Sequence, residues 1–406
     1  MGIYVECTVK IFGHAQIITT SYLIDRGLGV AEWIEGGNAG WMRSTVPSTV
    51  PSVAPAPAPT MPQVRAAYAP TSTRYLAACT SGLPTLGTVR ALREDADIWG
   101  SGLASPAHYQ AEIDRARALY AGLVGVGTDR VAIGSQASVM AAVLAASVPE
   151  GREVVCVDGD FTSMVFPFLQ QEHRGITVRH VPVAQLAASL TERTWLVAFS
   201  LVQSGTGVIA DAPAIRAAAA AVGAFTLCDT TQATGWLPVN AGDFDATICH
   251  AYKWLGAPRG AAFLTVLPAL AEVLRPVQAG WFAGDDPWAS CYGPTMTLAT
   301  DARRFDVSPA WPAWVGTRVA LEFFGSLDSA AVYAHDTGLG NALCAGLGLA
   351  ENNQAIVTWA DPAGTDLTRL TTAGITASGR AGRARVAFHV WNDATDVAAV
   401  LAALGR

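Results

Sequence analysis

The sequence is poor in charge and free of long apolar runs. Charged residues are 15% of its 406 positions and hydrophobic residues 51%. No uninterrupted apolar run reaches the ~18 residues that a membrane-spanning helix needs, so no membrane span is read. There is no block of Lys and Arg, and the net charge is −7, which argues against nucleic acid as a partner. The seven cysteines (Cys7, Cys79, Cys156, Cys228, Cys249, Cys291 and Cys344) form no C-x-x-C pair and no Cys/His cluster, so no zinc or other metal site is implied. Cys156, Cys228 and Cys249 sit in apolar runs, where a free thiol behaves as a small hydrophobe; this pattern fits a reducing cytoplasm. The N-terminus lacks the basic, apolar and small-residue succession of a signal peptide. With so little charge on a chain long enough for two domains, much surface needs covering, and an oligomer would cover it.

Residues 1–60 differ from the rest. Ile3–Ile24 has strand-forming composition without sustained periodicity, and residues 46–61 form a Pro/Ala/Ser linker. This stretch reads either as a small appendage or as an over-long start ahead of Met61, poorly packed in both cases. From Tyr75 the chain alternates short apolar runs with helical patterns. Strands are expected at Tyr75–Cys79, Asp129–Ile133, Val154–Val157, Thr177–Val181, Leu196–Leu201, Phe225–Cys228, Ala246–Cys249 and Ala262–Val266. Helices are expected at 107–124, 136–146, 212–222, 315–327 and 331–349. Runs of this kind read as a largely parallel α/β sheet covered on both faces, with ligands at the carboxyl ends of its strands. Asp160, Ser200, Asp229 and His250 all lie at or just past such ends. Strands at 355–359, 367–370, 375–378 and 385–390 and a helix at 395–404 suggest a smaller C-terminal α/β domain. The domain division expected is therefore 1–60 as extension and linker, 61–325 as a large domain and 326–406 as a small one.

The chain is organised around residues 225–260. There Asp229 ends an apolar run, and Lys253 lies between Ala246–Tyr252 and Trp254-Leu255, 24 residues later. A buried ammonium is costly, so a buried Lys has a lowered pKa and becomes a usable amine nucleophile. A buried carboxylate needs a permanent cationic partner. Pyridoxal 5'-phosphate (PLP) meets both needs, since a Lys Schiff base holds its aldehyde and an Asp pairs with its ring nitrogen. The same two residues also fit an Asp at a strand end and a Lys snorkelling from a helix start.

The motif Asp229-Thr-Thr-Gln232-Ala-Thr-Gly235, followed by His250-Ala-Tyr252-Lys253-Trp254 and Ala257-Pro-Arg-Gly260, resembles the class-V aminotransferase group of fold-type I PLP enzymes. That group includes cysteine desulfurases, kynureninases and isopenicillin-N-epimerase-like proteins. The resemblance runs from about Tyr75 to the C-terminus. It implies a PLP-dependent transferase fold, with a mostly parallel seven-stranded sheet and a small C-terminal domain. It implies Lys253 as the Schiff-base lysine, Asp229 under the pyridinium and Gln232 near the ring hydroxyl, with Ser204 placed loosely beside it. Ser135 and Gln136, at a helix start, would cradle the phosphate together with His250 and Tyr252. Phe161 would stack on the ring, where desulfurases have His and kynureninases Phe. Arg385 would grip a substrate carboxylate, in preference to Arg380 and Arg383. Ser308, in a Trp-rich turn that departs from the family's Gly-Thr, would reach the partner's phosphate site in a homodimer. Gly280-Trp281-Phe282 resembles a kynureninase segment.

The loop at 376–384 has no cysteine, which excludes a conventional cysteine desulfurase. The resemblance implies an enzyme acting on an α-amino acid, read as an aminotransferase, with a lyase (kynureninase-like or C–S β-lyase) or an epimerase as alternatives. A non-catalytic protein of the same fold and an unrelated α/β binding protein remain open.

Overall fold

A computed structural model describes residues 58–406, together with two strands nearer the N-terminus. Those strands, Ile3–Thr8 and Thr19–Ile24, pair antiparallel within a separate unit, Met1–Ala56. The expectation of poor packing before residue 60 otherwise lies outside the described residues.

The larger unit is built on seven strands: β1 (Val131–Gly134), β2 (Glu153–Val157), β3 (Thr177–Val181), β4 (Thr194–Ser200), β5 (Phe225–Asp229), β6 (Ala246–His250) and β7 (Ala262–Val266). Their order is β1-β7-β6-β5-β4-β2-β3, and only β7 runs against its neighbours. β1, β2, β4 and β6 are buried throughout, which is why they read as continuous apolar runs instead of alternating ones. The helices flanking the sheet include α1 (Leu86–Gly100), α2 (Pro106–Leu123), α3 (Ala137–Ser147) and α4 (Ala212–Val222). Helix α1, capped by the Thr85 side chain on Thr88 N–H, was not foreseen. Its charged and exposed composition hides a periodicity that buries only Thr88 and Asp95.

After α5 (Trp311–Gly325) and α6 (Ser329–Leu347), a second sheet forms from β8 (Ile356–Ala360), β9 (Ser378–Arg380) and β10 (Arg383–Ala387), in the order β8-β10-β9. It is antiparallel throughout and packs with α7 (Thr365–Thr372) and α8 (Ala394–Ala403) around Leu343, Val357, Leu370, Val386 and Val400. Residues 367–370 are thus helical, against the expected strand. Asp361 accepts from Asp366 N–H and Leu367 N–H at 3.2 and 3.0 Å, which starts the helix, and Leu370 is its buried anchor. A local β-branched composition lost to that cap.

The free edge of β1 is closed by side chains. Arg117 on α2 donates to Val131 O at 2.6 Å and grips both oxygens of Asp306 at 3.2 and 2.7 Å. Asp306 in turn accepts from Ile133 N–H at 2.7 Å, and Val307 N–H donates to Ile133 O at 3.2 Å. The edge therefore offers no open ladder, and segment 306–308 is pinned against the sheet. Arg117 and Asp306 are both buried. Removing one member of such a pair strands the other charge, so Arg117→Leu is expected to cost about 3–5 kcal/mol of unfolding free energy. Denaturant titration measures this; a loss under about 1 kcal/mol would mean the pair is dispensable.

Candidate functional site

The carboxyl ends of β1, β4, β5 and β6 meet at one cavity. Gln136, Phe161, Ser204, Asp229, Gln232, His250, Tyr252 and Lys253 line it. Ser200, Thr231 and Arg259, which carried no predicted role, line it too. Ser135 lies one residue before the N-cap of α3 and Ser308 is exposed; both stand outside the lining, as does Arg385.

Lys253 is one of two lysines in the sequence, the other being Lys10. This scarcity, among 26 cationic residues, is a signal that composition alone carried. The side chain is 6% exposed. Among the described residues no ion pair or side-chain hydrogen bond engages its amine. Nζ lies 5.3 Å from the Phe161 ring centroid and 5.7 Å from that of Tyr252. Burial pushes its pKa below the ordinary lysine value, with Asp229 the largest opposing influence. Asp229 is itself buried and pushed up by desolvation, while hydrogen bonding by Thr231 and the charge of Lys253 hold it down. Its Oδ1 accepts from Thr231 N–H at 2.8 Å.

The turn bearing Lys253 is held from several sides. Gly82 N–H donates to Tyr252 O at 2.9 Å, and a Cβ on Gly82 would collide with the Lys253 carbonyl. Gly235, at φ +117°, brings its Cα against the Trp254 backbone, where a Cβ would lie 3.0 Å away. Gln232 accepts from Trp254 Nε1 at 2.8 Å and donates to Cys79 O at 2.9 Å, so part of its amide capacity is spent on the scaffold. Behind the turn, His389 bridges Trp254 O through Nε2 and Asp336 Oδ2 through Nδ1, each at 2.7 Å. The two contacts together engage both imidazole nitrogens. Both residues have no exposed surface. Sequence reading missed this pair, since the two residues stand 53 positions apart and neither belongs to a motif.

On the other side, Asp160 accepts from Ser200 Oγ at 2.6 Å, Ser200 N–H at 2.8 Å and Phe161 N–H at 2.7 Å. The carboxylate thus fixes the Phe161 backbone and the end of β4. Arg385 is 2% exposed. It donates to Ser378 Oγ and Thr80 Oγ1, each at 3.0 Å, and to the Ser204 carbonyl. No carboxylate among the described residues pairs with it. Its charge adds to the desolvation that depresses the pKa of Lys253. At the opposite end, His250 Nε2 is buried without a partner, and desolvation with Arg259 and Lys253 lowers its pKa to about 4, leaving the ring neutral.

These features fit PLP. A lone amine faces the cavity, a carboxylate stands beside it, a flat aromatic face lies opposite, and an unpartnered ring nitrogen sits near a helix start. No cluster of metal-ligating side chains occurs among the described residues, and no helix there is long and apolar enough to cross a membrane.

Residues 108–381 match the family model for class-V aminotransferases. The chain is 31% identical to kynureninase of Deinococcus radiodurans over 245 residues, covering 58% of this chain and 59% of that protein. It spans only about three-fifths of that relative's length. It is 26% identical to the uncharacterized aminotransferase YcbU of Bacillus subtilis, covering 64% and 71% of the two chains. The cysteine desulfurase CsdA of Escherichia coli superposes with a TM-score of 0.75 at 18% identity, covering 86% of this chain and 98% of its own. The fold is therefore the type I PLP-dependent fold.

Because burial depresses its pKa, Lys253 in the cofactor-free protein is expected to react with cyanate at a midpoint pH below that of free lysine. Asp229→Asn should lower the midpoint further, since it removes the carboxylate that favours the ammonium. Peptide-resolved mass spectrometry across pH reads both; a midpoint at or above that of free lysine would contradict the burial argument.

Proposed function

Since the chain belongs to the class-V aminotransferase family, we propose that it is a PLP-dependent aminotransferase of an α-amino acid. The observation that carries this reading is the one-sided placement of proton-transfer groups. Lys253 supplies an amine on one side of the cavity, and Phe161, 5.3 Å away, presents only an apolar ring on the other. A single base serves a 1,3-proton shift, from the substrate Cα to the carbon on the far side of its nitrogen, as transamination requires. Epimerisation through two bases would need a second titratable group where Phe161 lies.

PLP supplies an aldehyde that captures amines and a ring that accepts an electron pair. Lys253 is the residue to hold that aldehyde, and Asp229 the one to hold the ring nitrogen protonated. Gln136 and the adjoining N–H groups at the start of α3, with His250 and Tyr252, suit the phosphate; Ser135, just outside the lining, belongs to the same turn. Phe161 would cover the ring, and Gln232 and Ser204 would stand near its hydroxyl. Arg385, buried without a counter-ion, would take the substrate's α-carboxylate by two-point hydrogen bonding. Lys253 would be the group to take the proton from the substrate Cα and to deliver one to the carbon that had carried the cofactor's aldehyde, on the far side of the substrate nitrogen.

The likeness to a kynureninase, with Phe161 and Gly280-Trp281-Phe282, favours a lyase as the second reading. A homodimer, in which Ser308 reaches the partner's phosphate site, accords with the exposed apolar surface of α1 and its following turn. Trp99 and Leu103 there are 69% and 76% exposed. Light scattering is expected to give twice the chain mass; a monomer in the presence of PLP would refute the dimer.

Purified protein incubated with PLP is expected to show a visible absorption band that shifts with one member of an amino-acid panel. In Lys253→Ala the band of a lysine-bound cofactor should be absent. Product formation should require an added keto acid. Pyruvate and ammonia released without one would decide for the lyase, and no band in the wild type would sink the cofactor assignment.

A further inference from the structure

The turn leading into β7 carries a cation that the proposed function leaves unused. Arg259 lines the cavity together with Gln136, Ala137 and His250. Its guanidinium carbon lies 4.4 Å from the centroid of the Tyr252 ring. The Tyr252 ring in turn meets that of His250 at 4.4 Å, edge to face. Arg259 forms no ion pair among the described residues.

Sheet register fixes the end of the cavity that Arg259 serves. Ala262 opens β7 and pairs with Gly134 on one side and His250 on the other. Arg259 precedes Ala262 by three positions, so it stands where α3 begins, beside Gln136 and Ala137 in the lining. Two independent features mark this end for an anion. Helix α3, 11 residues long, starts at Gln136 with no side-chain cap on its first N–H groups. His250, 6% exposed, leaves Nε2 without a partner.

Charge balance supplies the argument. The pKa of His250 is lowered to about 4, so at neutral pH it offers a hydrogen bond but no charge. A helix N-terminus contributes only about half an elementary charge. Lys253 is committed to the aldehyde. Of the basic residues that line the cavity, Arg259 is therefore the one left to meet a phosphate dianion with a full positive charge. We propose that Arg259 is a ligand of the cofactor's phosphate, turning from the Tyr252 face to form charge-assisted hydrogen bonds with it. This rests on the assignment of PLP as the cofactor.

The test compares PLP with pyridoxal, which has the same aldehyde and ring but no phosphate. Each is titrated into cofactor-free full-length protein and followed by visible absorbance. Arg259→Gln is expected to weaken PLP binding about tenfold or more while leaving pyridoxal within about twofold, and Arg259→Lys to recover part of the loss. A parallel loss for both ligands would overturn the proposal and make Arg259 a packing partner of Tyr252. Unchanged affinity for both would overturn it as well, as would a change confined to amino-acid saturation, which would assign the guanidinium to substrate. Wild-type protein that forms no absorbing complex with either ligand would instead refute the cofactor reading on which the proposal stands.

Discussion

The structure depends on keeping one amine dry. Lys253 is buried, lacks a counter-ion in contact, and is the only lysine of the described unit. Desolvating an ammonium costs several kcal/mol unless a carboxylate pairs with it or the proton leaves. The fold does not provide the close carboxylate. Asp229 influences Lys253 across the cavity without forming an ion pair, and its own burial favours protonation. Two groups are thus held in states that each resists, and a ligand carrying an aldehyde and a ring nitrogen would relieve both.

Holding such a site open requires rigid surroundings. The carbonyl next to Lys253 is fixed by His389, which is fixed by Asp336. The His389 ring is packed by Phe324, stacked at 5.6 Å, and by the edges of Trp254 and Trp391. Asp336 comes from α6 and His389 from the segment after β10, so elements late in the chain brace a turn of the main sheet. The Asp336 pair is buried and offers no contact with the cavity lining. Its place is to position the backbone, and the flat aromatic packing around it leaves little room for an alternative turn.

Much of this was legible in the sequence, for one reason. Strand ends in a parallel sheet converge, so Asp229 and His250, at the ends of apolar runs, could share a crevice, and the family motif singled out Lys253, three residues beyond His250. Arg385 was legible only through its motif, and its contacts with Thr80 and Ser204 join segments far apart in the chain. Helix α1 was lost because so little of it is buried. The helix at 365–372 was misread because its determinant is an Asp361 cap before the segment. The bond between His389 and Asp336 left no trace, since a lone His in an apolar stretch and a lone Asp in a helix look like ordinary residues.

The arrangement of cations also narrows the chemistry. Arg385 stands beyond Ser204 and Thr80, while Arg259 and His250 stand at the start of α3. An anion-bearing ligand spanning the cavity would be oriented by both ends, with Lys253 and Asp229 between. Orientation is what selects among the bonds at an amino acid's Cα, because the bond held perpendicular to an electron-accepting ring is the one that breaks. If Arg385 held the carboxylate as proposed, the Cα–H bond would be the one presented to Lys253. Proton removal is the step that transamination, elimination and epimerisation share, and the product is then decided by where a proton can be returned. Here the opposite wall is Phe161, whose backbone Asp160 anchors. On the proposed reading, a wall without a proton donor would close the route through inversion, and the lysine would be the group that both takes the proton and gives it back.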